Sequence, residues 1–510
     1  VSTLIDHLAR WKPFTAIVVG DFMLDQLVFG DAERLSADAP VPVLRVRRRE
    51  HRPGGAANVC LNLAALKGTV HALGVAGDDE AGRLLRRSLA DAGVDADALH
   101  PDPSRPTTLK QSLVGLAQHR HPQKMFRVDE ESTEPIAAPI VEAILGDLDR
   151  LLPEADVVCI EDYAKGVCCP PVCRGVIERC RAAGVPVLVD PAQIDDYARY
   201  RGASAITPNR SEAELAVGAR AARSPSPADL ARSLLGDLDL EAVVVTLDRD
   251  GALLLEGGGE PIDVPTVVRE VYDVTGAGDV VVAALAAARA NALTWPDAVR
   301  LANAAAGLEV EVFGVEPIPL QRLHHAVLVA QGALDGKVRT LEQLAVEVDL
   351  RRAQGQRIVF TNGCFDVLHA GHVWLLDRAR DEGDFLIVAT NTDETIRRYK
   401  GPNRPVNTAE ARVRVLAGLA SVDAVLVFEQ DTPAQVIQRL RPDVLVKGDE
   451  YSLDQIPGAA FVQSSGGRVV RIPMMGGQST SKTLDRLGDP RAGVRRDAAI
   501  ADTFVRDRAD

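Results

Sequence analysis

The chain has 510 residues, 46% of them apolar and 25% charged, and a formal net charge of −14. That length exceeds one ordinary core and predicts two to four domains of a soluble globular protein. The negative charge excludes a broad nucleic-acid-binding face, which needs a basic surface, but leaves room for a local basic pocket.

In chain order, the opening "VSTLIDHLARWKPFTAIVVGD" has no long apolar run before a cleavage site, so no signal peptide is expected. "TAIVVGD", "DVVCIED", "VPVLVDP", "SAITPN" and "AVVVTLD" read as strands buried on both faces. The helical patterns between them predict parallel βαβ units. "APVPVLRVRRRE" and "TTLKQSLVGLAQHRHPQKMFRVDEE" alternate like half-exposed strands and predict a small sheet lying over a site as a lid.

Cys168, Cys169, Cys173 and Cys180 cluster without a C-x-x-C spacing or a neighbouring histidine, which favours small core residues over zinc ligands. Seven cysteines in all suit a reducing compartment, so a cytoplasmic location is expected. The most apolar stretch, "VVVAALAAARANAL" (280–293), is interrupted by Arg289 and too short to cross a bilayer; it predicts a buried helix and no membrane partner. The first strand series ends near residue 320. A mostly helical connector follows, and a second series then runs through "RIVFTNG", "FLIVATN", "AVLVFE", "DVLVKGD" and "RVVRIP". The expected division is a first domain over 1–322, a helical linker over 323–356, a second domain over 357–485 and a frayed, charged tail over 486–510.

"DVTGAGD" (273–279) places small residues before an apolar helix. Gly276, Ala277 and Gly278 leave backbone N–H groups uncovered at a helix N-terminus, a natural anion hole. Asp279 then stands where it can take a proton from a hydroxyl approaching a held phosphate, or can simply cap the helix. "RPGGAANV" (52–59) offers Gly54, Gly55 and Asn58 for close approach of a polyol, and "GDFMLD" puts Asp21 and Asp25 just after a strand end, where open α/β sheets bind ligands. Asn209 and Glu212 in "TPNRSE" fit a metal–phosphate site or a capping box. Together these stretches resemble the ribokinase-like (PfkB) family of sugar kinases over residues 10–320. The resemblance implies that Asp279 is the catalytic base, that Asp25, Gly54, Gly55 and Asn58 hold the sugar, and that Asn303 in "LANAAAG" lines an adenine pocket.

"FTNGCFDVLHAGH" (360–372) sets His369 and His372 on one face of a helix's first turn, where imidazoles can donate to phosphate oxygens. Zinc is disfavoured because no glutamate separates the histidines and no third ligand is evident. The stretch resembles the H-x-G-H turn of the nucleotidyltransferase superfamily that contains the cytidylyltransferases, over residues 357–485. That resemblance implies a Rossmann-like fold in which Thr361, Asn362, Phe365, His369 and His372 hold a triphosphate. Ser479, Thr480 and Ser481 of "GGQSTSKTL" would help at its far end. The chain has nine lysines against 49 arginines, yet Lys165, Lys400, Lys447 and Lys482 fall in or beside these motifs, where a flexible point charge suits a moving phosphate.

The order of the two domains resembles the family of bifunctional heptose-7-phosphate kinase/heptose-1-phosphate adenylyltransferases. The implied fold class is α/β, a ribokinase-like sandwich with a small β lid followed by a nucleotidyltransferase. The implied substrates are sugar phosphates and ATP with Mg2+, no metal being bound tightly without nucleotide. A separate 7-phosphatase is expected between the two steps, and a homo-oligomer through the kinase domain. A 7-phosphate needs cations in the kinase pocket, for which Arg127 and Lys165 are the candidates. Ala192 stands where the family usually has lysine. A different sugar or nucleotide, or a sugar-phosphate sensor without catalysis, remains open to the sequence.

Overall fold

The computed structural model describes residues 4–116, 122–218, 225–266, 276–310, 317–330 and 337–473. The chain divides into two compact units, Val1–Gln331 and Gly332–Asp510.

The first unit is built on a nine-stranded sheet. Its strand order is Ile262–Val264, Ala252–Glu256, Ala242–Thr246, Ala205–Ile206, Val187–Asp190, Val157–Glu161, Phe14–Gly20, Gly68–Ala76 and Leu99–Pro101. The last seven pair in parallel, and the first two form an antiparallel edge. The five strands expected from the early sequence lie at its centre. Their apolar runs are continuous because both faces are covered. Helices Ala56–Ala65, Ala277–Ala290 and Trp295–Glu309 build one core, and Ala138–Leu151, Pro170–Ala183 and Pro227–Leu238 build the other. The apolar 280–293 stretch is the buried helix the sequence predicts, and no helix among the described residues is long and apolar enough to cross a membrane.

A separate four-stranded sheet, ordered Pro42–Gly55, Phe22–Leu35, Thr108–Gly115, Gln123–Glu130, is the expected lid. Its outermost strand, Gln123–Glu130, is exposed at every residue.

The second unit has six parallel strands in the order Val338–Arg339, Ala424–Phe428, Phe385–Asn391, Ile358–Asn362, Val444–Gly448, Arg468–Ile472. After the edge strand Val338–Arg339 the chain enters near the middle, at Ile358–Asn362, builds outward toward that edge and then crosses to the other side. Such a reversal opens a crevice at the carboxyl ends of the central strands.

The helical linker expected over 323–356 is divided between the two units. Helix Leu320–Ala330 buries Leu323, Ala326 and Val327 in the first core. Strand Val338–Arg339 pairs with Ala424–Phe428, and helix Leu341–Ala353 buries Leu344, Ala345 and Val348 in the second core. An amphipathic helix must bury its apolar stripe, and local sequence does not say against which core. The tail 486–510 lies outside the described residues.

Candidate active sites

In the first unit, helix Ala277–Ala290 begins at Gly276, whose φ of 84° is a left-handed conformation suited to glycine. Asp279 follows in the first turn, buried, where the leading N–H groups have no intrahelical acceptor. Both of its oxygens are engaged. Asn58 Nδ2 donates to one and the Tyr163 hydroxyl to the other, each at 2.7 Å. Burial raises the Asp279 carboxyl above its ordinary pKa, and the Asn58 and Tyr163 hydrogen bonds pull it back.

Glu161 and Asp190, at the ends of adjacent parallel strands, bring their carboxylates within 4.8 Å of that of Asp279. Burial pushes Asp190 up to about 8, although the Thr207 hydroxyl donates to it at 2.7 Å, and it raises Glu161 well above the carboxylate range. No N–H or hydroxyl donates to either Glu161 side-chain oxygen, whose hydrogen-bond partners are the Asp279 and Asp190 carboxyls. Three carboxylates this close cannot all stay ionised in a dry site, so the trio holds a proton or receives a cation.

A cavity of about 400 Å3 opens from Asp279 and Gly276 toward the lid. It is lined by Tyr163 and, from the lid strands, by Asp25, Arg52, Gly55, Lys110, Lys124 and Arg127. Burial pushes Asp25 up to about 6 against the pull of Lys110. Gly54 is required beside it, because a Cβ there would stand 2.7 Å from Asp25 Oδ2.

Several expected sugar ligands have other employment. Asp21 is 1% exposed and accepts from the backbone N–H groups of Tyr163, Lys165 and Val167 at 2.9–3.1 Å. It organises the loop that presents Tyr163, and burial pushes it up to about 6. Asn58 donates to Asp279, and its own amide oxygen accepts from Asn62. Lys165 does not line the cavity; its ammonium pairs with Glu131 at 2.8 Å. Arg127 does line it, but Asp129 holds its guanidinium through two 2.9 Å hydrogen bonds. Asn209 and Glu212 form the capping box of helix Arg210–Val217. Asn303 donates to the Val264 carbonyl at 2.7 Å. The sequence reading missed Tyr163 and Lys110, which lie outside the motif turns.

Cys168 and Cys173 come within reach of Asp162, yet each thiol donates to a backbone carbonyl, and Asp162 accepts from the Tyr200 hydroxyl at 2.7 Å. That is core packing rather than a ligand set.

In the second unit a cavity of about 780 Å3 sits at the strand ends. His369 is the residue before helix Ala370–Arg380 and His372 lies in its first turn. Their rings stack with centroids 3.8 Å apart, and Phe365 meets His372 edge-on at 5.3 Å. Burial lowers His369 and pushes His372 down to about 4, so both imidazoles are neutral near pH 7. Lys400, Arg404 and Lys447 line the same cavity with Asn362. Lys447 Nζ donates to the Asn362 carbonyl at 2.7 Å, and burial pushes it down to about 8.

Two residues that the sequence reading missed hold this cavity open. Asp366 accepts from Arg404 and from the Val406 and Asn407 N–H groups, pinning the loop after Lys400. The buried Arg412 donates to the Cys364 and Asn391 carbonyls and to Asp393. Thr361, expected to hold triphosphate, is fully buried, and its hydroxyl donates to Val446 O at 3.0 Å inside the sheet. Ser479, Thr480, Ser481 and Lys482 lie outside the described residues.

The chain is similar to known proteins. The pfkB family carbohydrate kinase profile matches residues 15–321, and the cytidylyltransferase-like profile matches residues 360–463. The chain is 44% identical to the bifunctional protein HldE of Azotobacter vinelandii, over 94% of this chain and 98% of that one. It is 42% identical to the HldE of Geobacter sulfurreducens, over 96% and 98%. Phosphofructokinase-2 from Escherichia coli, solved with substrates and products, superposes with a TM-score of 0.52 at 18% identity, covering 62% of this chain and 99% of that one; this is a likeness of fold. The chain belongs to the pfkB family of carbohydrate kinases through its first unit and, along nearly its whole length, to the family of bifunctional HldE proteins.

Proposed function

We propose that the two units catalyse two separate steps of ADP-heptose synthesis. The first moves the γ-phosphoryl of ATP to O1 of D-glycero-D-manno-heptose 7-phosphate. The second joins heptose 1-phosphate to the AMP part of ATP and expels pyrophosphate. The observation that carries this reading is the pairing, in one chain, of a buried carboxylate at a helix N-terminus with a stacked histidine pair at another.

In the first unit Asp279 takes the proton of the anomeric hydroxyl, which displaces either the Tyr163 or the Asn58 hydrogen bond on arrival. The N–H groups of Gly276, Ala277 and Gly278 face the charge that develops on the transferring phosphoryl. Magnesium accompanies the nucleotide. Glu161, to which no N–H or hydroxyl donates, and its neighbour Asp190 fit a cation there, which would neutralise triphosphate charge.

In the second unit the attacking group is already a phosphate anion, so no base is needed. Neutral His369 and His372 donate N–H to the α-phosphate, with Lys400, Arg404 and Lys447 supplying positive charge. The first product still carries its 7-phosphate, so a separate phosphatase acts between the steps. Exposed Leu35 and Phe126 on the lid strands, with Val41 just before one of them, support self-association through the kinase unit, and seven unpaired cysteines suit the cytoplasm.

Product analysis tests the reading. The purified protein is incubated with heptose 7-phosphate, and separately with heptose 1-phosphate, across the four nucleoside triphosphates. Bisphosphate from the first and ADP-heptose from the second are expected. ADP-heptose formed from heptose 7-phosphate without an added phosphatase overturns the two-step account.

A further inference from the structure

Two backbone groups far apart in the chain decide which way a buried amide beside the base must point. The N–H of Ile318, just before helix Leu320–Ala330, donates to Asn62 Oδ1 at 3.2 Å. A backbone N–H can only donate, so the oxygen of the Asn62 amide must face it. The Asn62 nitrogen is then turned one helical turn back along Ala56–Ala65, where it donates to the Asn58 carbonyl at 3.0 Å. A carbonyl can only accept, so both backbone groups demand the same orientation of Asn62.

That orientation dictates the next one. The same nitrogen donates to the Asn58 amide oxygen at 2.9 Å. Asn58 Oδ1 is thereby held toward Asn62, and Nδ2 is left to donate to Asp279 Oδ2 at 2.7 Å. A flipped Asn58 would set two amide nitrogens against each other and offer the carboxylate an oxygen in place of an N–H. Asn58, Asn62 and Asp279 are 0%, 2% and 3% exposed, so bulk water does not replace a lost partner. Neither asparagine lines the cavity.

We propose that Asn62 is a positioning residue of the kinase, locking the Asn58 amide so that its N–H stays on Asp279 and aims the base at the sugar hydroxyl. This rests on the kinase reading above and names the group that holds its base in place. Asn62 acts through Asn58 and touches neither the base nor the cavity.

The test is steady-state kinase kinetics with heptose 7-phosphate and ATP in the full chain, for wild type, N62L and N62A, each also in an N58A background. Turnover is expressed per folded kinase unit, counted from the area of its melting transition, so a destabilised variant stays readable. N62L and N62A are expected to lower kcat about tenfold and to leave the KM for ATP within about twofold of wild type, because a loosened base is less often in the reactive geometry. In the N58A background the same substitutions are expected to cost less than about twofold, since the amide through which they act is gone. A purely structural role would cost the same in both backgrounds. Equal losses in the two backgrounds, or a kcat within about twofold of wild type in both single variants, overturn the assignment alone. A wild type that does not phosphorylate heptose 7-phosphate removes the kinase reading and this assignment with it.

Discussion

Both sites are built at a helix N-terminus, yet their electrostatics are opposite. Around Asp279 the buried titratable groups are carboxylates, raised by burial. Around His372 they are imidazoles and an ammonium, lowered by burial. On the proposed function, the difference follows from the nucleophile. A sugar hydroxyl must lose a proton, so the kinase site keeps a carboxylate, whereas a sugar phosphate arrives as an anion and needs only donors and positive charge.

The largest effects should come from crossing the two chemistries. D279N should lower kinase turnover by at least ~10²-fold and leave nucleotidyl transfer intact. H369A should lower nucleotidyl transfer by about 10²-fold and spare the kinase. Both rates measured on each variant would break the comparison if either substitution depressed both reactions equally.

A smaller effect concerns pH, where the units should respond with opposite sign. In the kinase unit Asp190, Asp21 and Asp25 have folded pKa values of about 8, 6 and 6 against an ordinary 3.8. The folded state binds their protons more tightly, so this contribution is complete below pH 3.8 and is lost as pH rises toward 8. In the other unit His372 is depressed from 6.5 to about 4 and Lys447 from 10.5 to about 8. There the unfolded chain binds protons more tightly. Stability therefore falls as pH drops from 10.5 to 8 for Lys447, and from 6.5 to 4 for His372. Calorimetry of the whole chain between pH 4.5 and 6.5 should move two melting transitions in opposite directions; parallel movement contradicts this assignment of charges.

The smallest effect separates packing from binding. T361V should change the KM for ATP by less than about threefold and cost about 1 kcal/mol of stability, because the lost hydrogen bond lies inside the sheet. A tenfold rise in KM without destabilisation would return Thr361 to the nucleotide.

Much of the fold is legible in the amino-acid sequence. Continuous apolar runs such as "TAIVVGD" and "FLIVATN" announce parallel strands covered on both faces, and alternating segments announce the lid. The two glycine- and histidine-bearing turns locate both sites, because a helix N-terminus after a strand is written in adjacent residues. What each polar side chain does is not legible in the same way. Asp21 and Asn58 stand in the right motifs but bond to the Tyr163 loop and to Asp279.

Sequence by itself thus determined the elements, the order of the two units and the chemistry of the two turns, all of which depend on residues within one or two helical turns of each other. Only tertiary structure decided the boundary at 331, the capture of the expected linker by both cores, and the convergence of Asn58, Tyr163 and Asp279 from three separate segments. It also set Lys110 over Tyr163. These depend on strand order and register between segments far apart in the chain, and a local pattern of apolar and polar positions carries no information about which distant strand becomes a neighbour.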